Sequence, residues 1–207
     1  MTAPGVPGRA ETTTLVTGPV RSGKSRHAEH LLWQEPAVTY VATGRPADPD
    51  DAAHPADPEW SQRVESHRAR RPASWRTVET ADVADTIASA QGAVLVDCLG
   101  TWLTALVDAV GWHDLDAAAA HVRRQGRHLV ETLCATNVPV VVVTNEVGWS
   151  LVPTTASGRF FQDELGRLNA LVAAAAAHVH LVVAGRVLDL SDADIVPPAL
   201  PSAAPDA

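Results

Sequence analysis

The run Gly18-Pro19-Val20-Arg21-Ser22-Gly23-Lys24-Ser25 fits the pattern G-x-x-x-x-G-K-[ST]. Its glycines let the backbone curl until successive N–H groups converge on phosphate oxygens, and a helix starting at the loop's end adds about half a positive charge there. Lys24 would reach the β- and γ-phosphates, and the Ser25 hydroxyl would hold Mg²⁺. The pattern gains meaning only between a strand and a helix. Thr14-Leu15-Val16-Thr17 reads as a short buried strand before it, and Arg26 to Trp33 as a helix after it, with Ala28, Leu31 and Leu32 on one side. The spacing predicts a nucleoside triphosphate site.

Enzymes with such a loop carry an acid near the Mg²⁺ at the end of another apolar strand. Val94-Leu95-Val96-Asp97 supplies one, and the phosphate loop favours the metal role over the alternative of an aspartate capping the helix that follows. Val141-Val142-Val143-Thr144-Asn145-Glu146 places Asn145 and Glu146 at a strand's C-terminal end, where ligands bind in open α/β sheets. Glu146 suits a water-mediated metal contact, an acid–base group or a polar turn. The segment departs from the N-K-x-D element with which switch GTPases read guanine.

A second cluster lies in Glu59 to Pro72. On a helix, Trp60, Val64, His67 and Arg71 share a face, and Pro72 ends it. His67 then stands among Arg68, Arg70 and Arg71. Arginine forks suit phosphate, and neighbouring positive charge keeps an imidazole neutral and able to attack phosphorus. The alternative is an amphipathic surface helix with a solvated basic end.

These residues need a scaffold. Five apolar, β-branched runs, Leu15–Thr17, Val38–Ala42, Ala93–Val96, Val138–Thr144 and Val179–Ala184, lack alternation and suit strands buried on both faces. Helical patterns over Trp60–Arg71, Trp102–Val110, Leu115–Cys134 and Phe160–Ala177 alternate with them, and Arg76-Thr77-Val78-Glu79 reads as a further short strand. The expectation is an α/β fold, a mostly parallel sheet with helices on both faces. Residues 1–12 form a flexible N-terminal segment, 13–190 the catalytic domain, and 191–207 a Pro/Ala-rich tail that does not pack. The stretch from Gly44 to Pro58, rich in proline and aspartate, reads as a surface loop.

Composition narrows the class. A chain of 207 residues that is 46% apolar supports one globular core. Its net charge of −8 argues against nucleic-acid binding. Cys98 and Cys134 lack metal-type spacing and suit a reducing compartment. No run approaches the roughly 20 apolar residues of a membrane span, and no signal pattern opens the chain. A cytoplasmic enzyme is expected, with a single-function P-loop kinase of another small metabolite or a non-enzymatic nucleotide switch as the alternatives.

From Leu15 to Gly185 the chain resembles one family, the bifunctional adenosylcobinamide kinase / adenosylcobinamide-phosphate guanylyltransferases of cobalamin biosynthesis. The resemblance is carried by Leu15-Val16-Thr17-Gly18, Arg21-Ser22-Gly23-Lys24-Ser25-Arg26-His27-Ala28-Glu29 and Tyr40-Val41-Ala42-Thr43. It continues through Arg63-Val64 with His67, Arg71-Pro72-Ala73, Trp75-Arg76-Thr77, Val143 to Gly148, Val152-Pro153, Phe161, Gly166 to Asn169 and Leu181 to Gly185. It implies a RecA-like sheet, a homotrimer, a corrinoid substrate, Mg²⁺, and GTP and ATP as phosphate donors. By position, His67 matches the family's guanylylated nucleophile. The resemblance further implies that Ala42, Thr43, Gly44, Arg68, Ala69, Arg70, Arg71 and Glu79 line the nucleotide with Gly18 to Ser25, and that Ser25 and Asp97 hold the metal. Glu79 is suited to guanine, because a carboxylate accepts from N1–H and the exocyclic amine. The chain departs from the family pattern in its longer Gly44–Pro58 loop, in Thr154 to Arg159, where some members are more polar, and in Asp97, where some carry glutamate.

Overall fold

The computed structural model describes residues 10–44, 62, 65 and 68–196. Seven strands form one sheet in the order β3-β2-β4-β5-β1-β6-β7. They are β1 (Ala10–Thr17), β2 (Val38–Ala42), β3 (Arg76–Glu79), β4 (Ala93–Asp97), β5 (Val140–Val143), β6 (Ala176–Val183) and β7 (Arg186–Asp189). Every pairing is parallel except β6 with β7. The helices are α1 (Lys24–Leu31), α2 (Val83–Ala88), α3 (Leu99–Val110), α4 (Leu115–Ala135) and α5 (Ala156–Ala175). This is the expected mostly parallel α/β sheet.

The continuous apolar runs are explained by two covers. On one face Leu15, Val41, Val94, Val96, Val140 and Val142 pack with α2 to α5, through Val83, Ile87, Trp102, Leu103, Leu129, Leu133, Leu165 and Val172. On the other face Val16, Tyr40, Leu95, Val141 and Val143 meet Ala28, Leu32, Trp75 and Cys98. Successive residues of one strand thus enter opposite cores, so neither parity can be polar. Trp102 is fully buried, and its indole N–H donates to the Ala81 carbonyl at 2.7 Å, which satisfies the one polar atom such a side chain carries into a core.

Register does the positioning. Glu79 pairs with Ala42, Ala42 with Asp97, Asp97 with Val143, Val143 with Val16, Val16 with His180, and His180 with Asp189. One rung therefore crosses the whole sheet, and on β1 to β5 it lies at the strand's C-terminal end or one residue before it. The loops after β1, β2, β4 and β5 all leave from this edge, which is where open α/β sheets bind ligands.

Several boundaries differ from the sequence expectation. β1 begins at Ala10, which is buried and pairs with Ala176. The last helix starts at Ala156 and stops at Ala175, so the alanine run divides between helix and strand. α2 and β7 were not anticipated. β7 returns through a two-residue turn, Ala184-Gly185, with φ of +50° and +74°, the left-handed pair of a tight hairpin. Ser191, expected in an unpacked tail, accepts from the Val179 N–H through its hydroxyl at 3.2 Å. Of the helix read over Trp60–Arg71, residues 62, 65 and 68–70 are helical; Trp60, Ser61, Arg63, Val64, Ser66 and His67 lie outside the described residues, as does the Gly44–Pro58 loop beyond Gly44.

Gly18 is where the sheet and the loop after β1 come closest. Its φ is +148°, and a Cβ there would lie 2.2 Å from the Val182 carbonyl oxygen. Gly18→Ala is expected to cost about 1–3 kcal/mol of stability through this strain and collision, read as a lower urea midpoint, and to lose triphosphate binding at the same time.

Candidate active site

The loop after β1 has the curl its glycines allow. Arg21 stands at φ +61° and Gly23 at φ +102°, and the Ser22 N–H donates to the Pro19 carbonyl at 3.2 Å. α1 starts at Lys24, so its free N–H groups face the loop. Lys24 is buried, and its ammonium donates to the Pro19 carbonyl at 3.3 Å, folded over the concave side. The Ser22 hydroxyl is buried and finds no hydrogen-bond partner among the described residues. Sequence reasoning missed a brace beneath the loop: the Gly185 N–H, in the β6–β7 turn, donates to the Ser22 carbonyl at 3.0 Å. Its signal was the Gly185 that follows β6, which only a paired β7 explains.

A second strap joins the loop to the end of β5. The Glu146 N–H donates to the Gly18 carbonyl at 3.1 Å, and the Thr17 hydroxyl donates to Glu146 Oε1 at 2.6 Å. Asn169, on α5, donates to the Asn145 carbonyl at 3.0 Å and accepts from the buried Thr144 hydroxyl at 2.6 Å. Thr144-Asn145-Glu146 is thus a built turn whose carboxylate is held beside the phosphate loop.

Asp97 closes β4, half-buried, on the rung described above. It does not cap the next helix, whose N-cap is Cys98. Instead its Oδ2 accepts from the Tyr40 hydroxyl at 2.9 Å. Burial and the nearby Asp97 charge push the Tyr40 hydroxyl well above the usual phenol range, so it stays a donor. The Arg71 guanidinium lies 3.7 Å over the Tyr40 ring and donates to the Thr77 hydroxyl at 3.0 Å. Burial, and after it the nearby Asp97 charge, also push the Cys98 thiol up.

The other basic residues are already engaged with acids. Arg68 donates to Glu79 at 2.6 Å, both partly exposed. Arg70 makes two bonds to Glu29 of α1, at 3.0 and 3.2 Å, and the Glu29 side chain is only 7% exposed. Ala69 is exposed between them. Thr43 is buried, its hydroxyl donating to the Cys98 carbonyl at 2.7 Å and lying 2.7 Å from that of Thr101. Ala42, Thr43 and Gly44 therefore present backbone, not a free hydroxyl, to this edge. His67 lies outside the described residues. A different histidine stands close to the loop: His27 Nε2 is 3.0 Å from His180 Nδ1. Burial first, then His180 and His30, hold His27 below the usual imidazole range.

The arrangement can hold a triphosphate on Gly18 to Ser25, with hard oxygen donors nearby for a cation. A family model described as cobinamide kinase / cobinamide phosphate guanyltransferase matches residues 14–190. The bifunctional adenosylcobalamin biosynthesis protein CobU of Salmonella typhimurium is 39% identical over 182 residues, covering 83% of this chain and 95% of its own. The Escherichia coli protein of the same name is 38% identical over the same shares. The bifunctional adenosylcobalamin biosynthesis protein CobP of Pseudomonas aeruginosa is 36% identical over 85% of this chain and 95% of its own. Among solved structures, RadB recombinase is similar at 18% identity with a TM-score of 0.42, over 84% of this chain and 74% of that one.

Two outcomes are expected of this edge. Lys24→Ala should lower the rate of phosphoryl transfer about a hundredfold or more, the usual loss when a charge aimed at the transition state is removed, as read in a γ-phosphate transfer assay. Asp97→Asn should leave the urea midpoint within experimental scatter of wild type while raising the Mg²⁺ concentration needed for half-maximal rate; an unchanged Mg²⁺ titration would reduce Asp97 to a partner for Tyr40.

Proposed function

The chain belongs to the cobinamide kinase / cobinamide phosphate guanyltransferase family, and from that premise we propose which residues carry its two reactions. It is a bifunctional enzyme that phosphorylates a corrinoid and then attaches a guanylyl group to the new phosphate. In the finer reading, the aminopropanol hydroxyl of adenosylcobinamide takes the γ-phosphoryl group of ATP or GTP. The product then takes GMP from GTP, giving adenosylcobinamide-GDP and pyrophosphate.

The observation that carries this reading is the rung on which Glu79, Ala42 and Asp97 line up with the strand that feeds the phosphate loop. Gly18, Pro19, Val20, Arg21, Ser22 and Gly23 wrap the phosphates with their backbone, and Lys24 stands against the β/γ oxygens. The donor chemistry at this edge fits Mg²⁺: a hydroxyl at Ser25 and a half-buried carboxylate at Asp97 are hard oxygens, and Mg²⁺ takes few protein ligands because phosphates and water complete its shell. That accords with the lack, among the described residues, of any group of three or more His, Cys, Asp or Glu able to hold a metal. When bound, the cation neutralises charge between the β- and γ-phosphates.

For guanylyl transfer, the His67 imidazole nitrogen forms a bond to the α-phosphorus while the bond to the pyrophosphate oxygen breaks. An oxygen of the substrate phosphate then displaces the imidazole, and the guanylyl group passes on. Two displacements replace one difficult step. The support for His67 is its place in the R-V-x-x-H element, directly before Arg68, Arg70 and Arg71. Glu79 is assigned to guanine; Arg68, now on its carboxylate, would turn to phosphate as the base arrives. We further assign a homotrimer, which the family resemblance implies, and a cytoplasmic location. The latter is supported by Cys98 and Cys134, which form no disulfide.

Incubated with α-labelled GTP and Mg²⁺ but no corrinoid, the protein should gain covalent label and release pyrophosphate. The bond should be acid-labile and base-stable, as a phosphoramidate is. His67→Ala should abolish labelling and guanylyl transfer yet keep kinase activity. His27→Ala is the informative control, since His27 is the histidine seen near the phosphate loop; loss of label in that variant instead would move the nucleophile to α1. Label from γ-labelled GTP would make His67 a phosphoryl carrier and refute the guanylyl intermediate.

A further inference from the structure

We propose that the loop between β5 and α5, through Trp149, Leu151 and Val152, is the platform that receives the corrin macrocycle of the acceptor substrate. The proposal deepens the bifunctional reading above and rests on it. Three observations carry it.

The first is exposure. Trp149 is 60% exposed, Leu151 93% and Val152 76%, three large apolar side chains open to water within four residues of one loop. The second is that this loop is held. The Ser150 hydroxyl and the Gln162 amide both donate to the Val147 carbonyl, at 2.9 and 3.0 Å. Arg159 donates to the Pro153 and Thr154 carbonyls at 3.0 Å each, and the Thr155 hydroxyl caps α5 by accepting from the Gly158 N–H at 3.1 Å. The polar groups of the loop are spent on its own shape, and the apolar side chains are left facing water. The third is location. Glu146, immediately upstream, donates to the Gly18 carbonyl, so three Cα steps place Trp149 within about 11 Å of that anchor. Val20, on the phosphate loop itself, is also 65% exposed.

The chemistry selects the occupant. Residues 147–158 contain no charged side chain, although the chain carries 24 acidic and 16 basic residues. The nearest cation, the Arg159 guanidinium, is held on the Pro153 and Thr154 carbonyls, so the loop itself offers a nucleotide, an acidic peptide or a nucleic acid no counter-charge of its own. A corrinoid presents a broad conjugated ring with methyl groups and a rim of neutral amides. An indole and two aliphatic side chains can cover the ring. The reacting hydroxyl sits at the end of one ring substituent, so the ring must rest beside the phosphate loop and not in it. This loop occupies that flank, on the β5 side, away from Glu79.

The test compares the doubly substituted Trp149→Ala/Leu151→Asn protein with wild type. The substitutions lie on exposed side chains, so folding is checked by the urea midpoint alone. In the kinase reaction kcat/KM for cobinamide should fall at least tenfold, and equilibrium dialysis should show weaker cobinamide binding without nucleotide. Labelling by α-labelled GTP in the absence of corrinoid should keep its wild-type rate. Equal loss of both reactions would make the loop a support for the nucleotide and overturn the proposal, as would unchanged kinetics for cobinamide. A changed sedimentation mass would assign the apolar residues to contacts between copies and also overturn it. Failure of the wild-type protein to phosphorylate cobinamide is a separate result, and it would remove the activity reading itself.

Discussion

The strap between the ends of β1 and β5 is the interaction on which the site depends. A phosphate loop is a chain of N–H groups aimed at a point, and its aim is only as good as the anchoring of its two ends. One end is fixed by β1, whose neighbours β5 and β6 hold it on both sides. The other end is α1. Between them the Gly18 carbonyl is taken by the Glu146 N–H, and Thr17 is tied to the Glu146 carboxylate. Asn169 and Thr144 complete the network from below, with Thr144 fully buried. Each such bond contributes about 1 kcal/mol net, whereas leaving one buried partner unmatched costs about 1–3 kcal/mol. The asymmetry makes the network a fixture: it adds little to stability but strongly penalises any other arrangement of the loop.

This explains how much of the site was legible in the sequence. The phosphate loop, Asp97 at a strand end and the β3 strand through Glu79 could be read because each rests on local pattern, glycine spacing or apolar runs. The fold class followed from those runs, since strands buried on both faces leave no alternation. The Ala184-Gly185 turn was missed because its first residue is not the asparagine, aspartate or glycine that usually marks a left-handed pair, so β7 and its brace under Ser22 were invisible. The division of the Ala173–Ala177 run between helix and strand was hidden for a similar reason: alanine favours helix, and only pairing of Ala176 with Ala10 overrules it. Long-range acid–base partners have no local signature at all. Nothing near Arg70 in sequence points to Glu29, 41 residues away.

Those partners change the meaning of the basic cluster. Read from sequence, Arg68, Arg70 and Arg71 are three equivalent forks for phosphate. In the fold they differ in what each would lose by turning toward a ligand. Arg68 and Glu79 are exposed enough that their pairing is worth about 0–1 kcal/mol, so Arg68 is free to exchange a carboxylate for a phosphate. Arg71 keeps its place by stacking on Tyr40 and by donating to the Thr77 hydroxyl. Arg70 is different. Turning it away would strand the Glu29 carboxylate, which is almost wholly out of water, and breaking a buried pair in this way costs about 3–5 kcal/mol.

The consequence is a division of labour within four residues. Arg70 pins the basic turn to α1, the same helix whose N-terminus forms the phosphate site. With that pin in place, the turn carrying Arg68 and Arg71 is referred to the phosphate loop through Glu29 and to Asp97 through Tyr40. An acidic chain can then gather cations at one edge without repelling itself apart, because Glu29, Glu79 and Asp97 interleave with them. Only the outermost pair, Arg68 with Glu79, is loose enough to open. Opening that pair leaves a cation and a carboxylate side by side at the sheet edge, each exposed enough to be met by solvent, whereas opening Arg70 from Glu29 would strand a buried charge.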